Sequence, residues 1–247
     1  MLTELRKVGL IPVFTPGVTE ISRKVEVLLK AGVLFAAFSP EDETGLQAAL
    51  RVAGFQAGVT AVASAEQARK VAQLGAKFIA LDSPSASQAL WAQETDLICV
   101  PASQLPGGLS PVPYAVAQDE KSLTDFLKKE IRSMLSFDLK HVGINCPNEA
   151  TSSKTADTFA QIFGFTKEDR GGAYFAGDII EIMKKPFYGQ HGHIAIATRS
   201  AESAAYYLEH AGVKFNWESA GYNPDGRLRV VYLQEEIGGF AVHILQR

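Results

Sequence analysis

Residues 188–198 read "YGQHGHIAIAT", and the run after the second histidine decides how half of this chain folds. Successive side chains of a strand face opposite sides. Ile194 and Ile196 therefore share one face, and His193 takes the other. The helical "SAESAAYYLEHAGVKF" (200–215), the turn "YNPDGR" (222–227), and the strand-like "LRVVYLQ" (228–234) and "GGFAVHILQ" (238–246) follow. The same order occurs once before, in "LKHVGINC" (139–146), the helical "TSSKTADTFAQIFGF" (151–165) and shorter strands ending in "DIIEIMKK" (178–185). Each copy is a strand opening with a histidine, one helix, and two or three further strands. Such repeats bury their sheets by packing together. A paired βαβββ domain with a pseudo-twofold axis is expected over 138–247.

The same alternation sorts the polar exceptions within these strands. In "HVGIN", Val142 and Ile144 belong under the helix, which leaves His141 and Asn145 on the open face. In "DIIEIM", Ile180 and Ile182 share one face and Glu181 takes the other. In "FAVHIL", Val242 and Ile244 point inward and His243 is turned away from them. A carboxylate inside an apolar strand is costly unless it is paired or bound to a metal. Three imidazoles and one carboxylate on one concave face suit a divalent transition metal: Zn, Ni, Fe, Mn or Co. His141, Glu181, His193 and His243 are the expected ligands. Asn145 shares their face and is expected to hydrogen-bond substrate; with Glu181 it forms the expected catalytic pair. His191 flips away from His193 into a loop and is expected to meet solvent. His210 reads as a surface residue that complements its helix dipole.

The first half has a different grammar. Short apolar runs, "GLIPVF" (9–14), "VLFAAFS" (33–39), "QAGVTAV" (56–62), "KFIALD" (77–82) and "LICVPA" (97–102), alternate with amphipathic segments. Strands this apolar are buried on both faces and pair in parallel through right-handed helical crossovers. Ser64 with Gln67 reads as a capping box, and Gly32, Gly54 and Gly75 stand where helices should stop. About five β/α units are visible against the eight of a closed barrel. The expected fold is α/β followed by α+β: an incomplete (β/α) barrel or open parallel sheet over 1–112, then the βαβββ pair. The Pro- and Gly-rich "SQLPGGLSPVPY" (103–114) reads as a boundary, with a linker and bridging helix over 113–137.

The totals exclude several classes. A net charge of −3 offers no basic field to nucleic acid or an anionic membrane. Mean hydropathy is +0.03, and no apolar run approaches the roughly 20 residues of a membrane span. The first residues, "MLTELRKVGLIPVF", carry no cleavable signal pattern. Cys99 and Cys146 make no disulfide framework, and a reducing cytoplasm is the expected location.

With these residues in view, 138–247 resembles the vicinal oxygen chelate superfamily (glyoxalase, bleomycin resistance, dioxygenase). The resemblance implies metal ligands on the first and last strands of each βαβββ module, matching His141, Glu181, His193 and His243. "GHIAIAT" is similar to the second-module opening of glyoxalase I, which has a glutamate where His243 stands here. Over the whole chain, "MLSFDLKHVGIN", "GHIAIAT", "YYLEHAGVKF" and "VVYLQEEIGGFAVHILQ" resemble the C-terminal domain fused to some bacterial 2-keto-3-deoxy-6-phosphogluconate (KDPG)/4-hydroxy-2-oxoglutarate aldolases. "GLIPVF" and "QAGVTAV…SAEQARKVAQLGAKFIALDSP" resemble strands 1, 3 and 4 of that aldolase. Its chemistry needs a desolvated strand lysine to form a Schiff base, and no apolar run here has an interior lysine. The family's strand-2 glutamate falls at Ala36 or Ala37, and its strand-1 arginine near Phe14. Strands 7 and 8 are expected to be missing, and Asp82 to serve as a helix cap.

Three functions follow from this reading. The first is a metal-dependent lyase, isomerase or dioxygenase acting on a small anionic hydroxy- or keto-acid, with the aldolase-like half not catalytic. Lys184, Arg227 and Arg229 are candidate partners for the substrate's carboxylate. The second is a metal-containing binding protein without catalysis, and the third a residual KDPG-type aldolase. A homodimer is expected, because a half barrel leaves sheet edges uncovered.

Overall fold

The computed structural model describes residues 1–247, which divide into two compact units, Met1–Leu135 and Ser136–Arg247. In the first, α1 (Leu2–Val8) precedes β1 (Leu10–Phe14), and four β/α repeats follow. These are α2 (Ile21–Lys30) to β2 (Phe35–Phe38), α3 (Glu43–Leu50) to β3 (Gln56–Thr60), α4 (Ala65–Gln73) to β4 (Phe78–Leu81), and α5 (Ala86–Glu94) to β5 (Ile98–Pro101). The strands form an open parallel sheet in which β2 and β4 are buried along their whole length, as their unbroken apolar sequence requires. Phe14 stacks on Phe38 at 5.5 Å, and Phe35 meets Phe78 edge-on at 6.2 Å.

The Pro- and Gly-rich stretch expected as a boundary contributes structure instead. Residues 102–104 form a short 3-10 turn, and Gly108–Val112 form β6, which pairs in parallel with β1. The sheet order is β5-β4-β3-β2-β1-β6. The sixth strand thus lies where the eighth would close a complete barrel. The sheet stays open because the strands that would join β5 to β6 do not exist. Residues 113–137, expected as a linker and bridging helix, hold α6 (Tyr114–Ala117) and α7 (Glu120–Leu135), and α7 packs on α2 and β6 within the first unit. Leu123 and Leu127 on its inner face are fully buried.

Helix ends follow local chemistry. Gly32, Gly54 and Gly75 adopt φ of 80°, 79° and 100° just beyond their helices, a region open to glycine without a Cβ penalty. Ser64 accepts from the Gln67 N–H at 3.1 Å, but the Gln67 side chain accepts from Ala63 rather than Ser64, so this box is incomplete. A full capping box stands at Ser85 and Gln88, and Ser85 rather than Asp82 caps α5. No helix of the chain is long and apolar enough to cross a membrane.

The second unit is the doubled motif. Its first copy runs β7 (Asp138–Asn145), α8 (Glu149–Phe163), β8 (Lys167–Asp169), β9 (Ala173–Ala176), β10 (Ile180–Met183). The second runs β11 (Gly192–Thr198), α9 (Ala201–His210), β12 (Phe215–Tyr222), β13 (Leu228–Leu233), β14 (Phe240–Gln246). In each copy the first strand pairs in parallel with the last, and the other two extend the sheet antiparallel. The copies join through antiparallel β7 and β11 into one sheet ordered β12-β13-β14-β11-β7-β10-β9-β8. The order reads as the same motif from either end, which is the pseudo-twofold relation.

The register forces the helix-side core into rows. Ile180, Val142, Ile194 and Val242 are cross-strand neighbours. Ile182 lies beside Ile144, and Ile244 beside Ile196. Ile182 is fully buried against Ala156, Cys146 and Ala176, worth about 1.5–3 kcal/mol relative to exposure. Helix α8 is tied to this row where the buried Ser152 hydroxyl donates to the Ile182 carbonyl at 2.9 Å.

Candidate metal site

Opposite the helix-side rows, the same register assembles the polar residues. Glu181 on β10, Gly143 on β7 and His193 on β11 are direct cross-strand neighbours. The adjacent row is His141 on β7, Ala195 on β11, His243 on β14 and Tyr232 on β13. Small residues thus alternate with large polar ones. Gly143 separates Glu181 from His193, and a Cβ at Gly143 would collide with the His193 ring. Ala195, fully buried, separates His141 from His243. The β7–β11 register also shifts beside His141, between Ala195 and Ile196, a bulge of the kind that re-aims a side chain.

The geometry is tight. The Nε2 atoms of His141 and His193 stand 3.2 Å apart, and Glu181 Oε2 lies 3.0 Å from each. One ring nitrogen from each of His141, His193 and His243 lies within 4.8 Å of the other two. His193 and His243 are 3% and 5% exposed, and the side chains of His141 and Glu181 12% and 19%. Atoms that share a tetrahedral cation at about 2.1 Å lie roughly 3.4 Å from each other, close to the observed triangle. Both ring nitrogens of His243, and Nδ1 of His193, are buried without a hydrogen-bond partner. A buried nitrogen left unsatisfied costs about 1–3 kcal/mol, so this face carries acceptor capacity that no protein group uses. The residues present fit a divalent cation.

Electrostatics point the same way. Burial, reinforced by the neighbouring His193 and His141, pulls the His243 imidazole down to about 3, so it is neutral with a free lone pair at physiological pH. Burial pushes the Glu181 carboxyl up, but hydrogen bonds and charge from His141 and His193 outweigh it and hold it at about 2. Burial and the charge of Glu181 raise the Tyr232 phenol, which therefore stays protonated.

The remaining candidates lie elsewhere or are engaged. Asn145 spends its amide on the backbone of 187–189: Nδ2 donates to the carbonyls of Phe187 (3.2 Å) and Gly189 (2.8 Å), and Oδ1 accepts from the Phe187 N–H (3.1 Å). It braces a loop rather than facing the cluster with free donors. His191 is exposed, its ring 5.6 Å from Phe240, and is not among the clustered histidines. Lys184 is paired with Glu149 and Asp169, each at 2.9 Å, and Arg227 with Asp225 at 3.4 Å.

Sequence reasoning missed Tyr232, Gly143 and the loop pair Phe187 and Tyr188. Tyr232 stacks on His243 with centroids 4.6 Å apart and 26° between planes. Strand parity could have found it, since Val231 lies on the buried face beside Ile244. The gap at Gly143 was legible the same way, between His141 and Asn145. Phe187 and Tyr188 sit in a loop, where no periodicity reports direction.

In the first unit, Ala36 and Ala37 on β2 and Phe14 on β1 are fully buried. None of the six strands contains a lysine, and Lys77 is exposed just before β4.

Comparison of the sequence with family models and with curated proteins finds no match. Among solved structures, the chain is similar to a 2-keto-3-deoxy-6-phosphogluconate aldolase from Zymomonas mobilis, at 16% identity and a TM-score of 0.37 over 40% of this chain and 50% of that one. The chain therefore spans half the length of that enzyme. A second Zymomonas mobilis structure of this aldolase, with 3-phosphoglycerate, gives 12% identity and 0.42 over 52% of this chain and 93% of that one. Streptomyces coelicolor methylmalonyl-CoA epimerase gives 14% and 0.32 over 44% and 95%. Likeness at this level assigns no activity.

Proposed function

We propose that the second unit is a metal centre of the vicinal oxygen chelate type. In this reading His141, Glu181, His193 and His243 hold one divalent transition ion, and the protein acts on a small anionic hydroxy- or keto-acid. The observation that carries it is the convergence of His141, His193 and His243 on one sheet face, with Glu181 in contact with the first two and both nitrogens of His243 unbonded. When bound, such an ion supplies Lewis acidity toward substrate oxygens. The chain's own part is to keep the His243 imidazole neutral, hold Glu181 ionised, and cover the site with Ala195, Tyr232 and the sheet beneath. Three neutral imidazoles and one carboxylate leave a divalent site positive, which favours an anionic substrate. Elemental analysis of the full-length protein purified without a tag is expected to find a single divalent transition ion per chain, absent from His193→Ala. Metal-free wild-type protein that takes up no ion on titration overturns the reading.

A metal-holding protein without turnover is the second reading. It is favoured by the engagement of Asn145 in its loop and by the two imidazoles that weaken Glu181 as a base. Turnover of hydroxy- or keto-acids by the loaded protein separates the two. We further propose a homodimer in the cytoplasm, in which a second copy covers the open edges at β5 and β6. In this reading the first unit is a degenerate aldolase-like scaffold.

A further inference from the structure

Beyond the four polar residues, the site continues into a run of aromatic rings that the packing of the fold does not explain. Tyr232 stacks on His243 and stands edge-on to His193 at 6.3 Å. Tyr188 lies 4.8 Å from Tyr232, and Phe187 lies 4.5 Å from Tyr188 and 6.4 Å from Tyr232. These outer two rings are 48% (Phe187) and 43% (Tyr188) exposed. Single exposed apolar residues are ordinary, but a contiguous group beside a polar cluster marks a contact surface.

The loop that carries them is fixed in place. Asn145, two residues beyond the Gly143 that pairs with His193, holds it through three hydrogen bonds. Gly189 turns at φ 84°, where an added Cβ would strike the Gly192 carbonyl. The His191 N–H donates to the Gly239 carbonyl at 2.9 Å, and the Gln190 N–H to Glu236 at 3.3 Å. Two exposed rings held this firmly are presented to something. Aromatic faces take flat apolar groups by offset or edge-on stacking.

Resting on the metal-site reading, we infer that the acid bound here carries a flat, apolar group, such as an aryl ring, which lies against Tyr188, Phe187 and Tyr232 while its oxygens face the histidine cluster. Asn145 is then a positioning residue that sets the loop.

The test compares phenylpyruvate with pyruvate, two 2-oxo acids that differ by one phenyl ring, binding to the zinc-loaded full chain by calorimetry. Phenylpyruvate is expected to bind about tenfold tighter, ~1.4 kcal/mol. Tyr188→Ala and Phe187→Ala, both at exposed positions, are expected to erase most of that preference and leave zinc uptake unchanged. Equal affinity for the two acids, binding of neither, or a preference that survives both substitutions overturns the inference while the metal site stands. Failure of the wild-type chain to take up zinc overturns the metal-site reading, and the inference with it.

Discussion

A single side chain, His243, shows how much the site costs the fold. Its imidazole is buried beside two other histidines with neither nitrogen satisfied, which holds it neutral down to about 3. The unfolded chain takes up that proton near the ordinary histidine value of about 6.5. Between those limits the unfolded state binds more protons, so stability falls as pH falls. Glu181 adds the same sign lower down, between its ordinary value of 4.5 and about 2. The metal-free second unit is therefore expected to lose on the order of 2 kcal/mol between pH 6.5 and pH 5 through His243. Denaturant unfolding followed by Trp217 fluorescence measures it, and His243→Phe should flatten the slope. An unchanged slope in that variant would show that His243 is not the group responsible.

At the scale of the element, the site depends on strand register more than on any one ligand. His141 and His193 face the same way because β7 and β11 pair with His193 opposite Gly143 and Ala195 opposite His141. The intervening residues must be small, or the polar tips cannot meet at 3.0–3.2 Å. Gly143→Ala is thus expected to cut divalent-ion affinity roughly 10- to 100-fold, the range seen when groups that orient metal ligands are lost. Circular dichroism should show the sheet intact, because the added methyl points to the open face. Retention of wild-type ion affinity would show that the His193 ring can move aside at no cost.

At the scale of the whole molecule, the two units follow different rules. The first is an open parallel sheet whose six strands, the position from which a Schiff-base aldolase would supply its amine, carry no lysine. Borohydride reduction with pyruvate is expected to leave the intact mass of the full chain unchanged. A gain matching one reduced pyruvate adduct would restore a catalytic role to that half. In the second unit, the doubled motif provides first and last strands side by side at the centre of one sheet, and all four candidate ligands come from them.

The sequence by itself determined the period of each segment, and with it most of this architecture. Apolar runs without alternation specified buried parallel strands, and alternation around His141, Glu181, His193 and His243 assigned those side chains to one face. The Gly and Pro of "SQLPGGLSPVPY" mark turns but do not report that an edge strand at Gly108–Val112 will find β1. Only the tertiary structure decided the distances among the four residues, the diversion of Asn145 into a loop, and the tilted contact of Tyr188 with Tyr232. Periodicity is a property of neighbouring residues along the backbone. Register, and the direction of a loop side chain, depend on contacts between residues far apart in the chain, which no local pattern encodes.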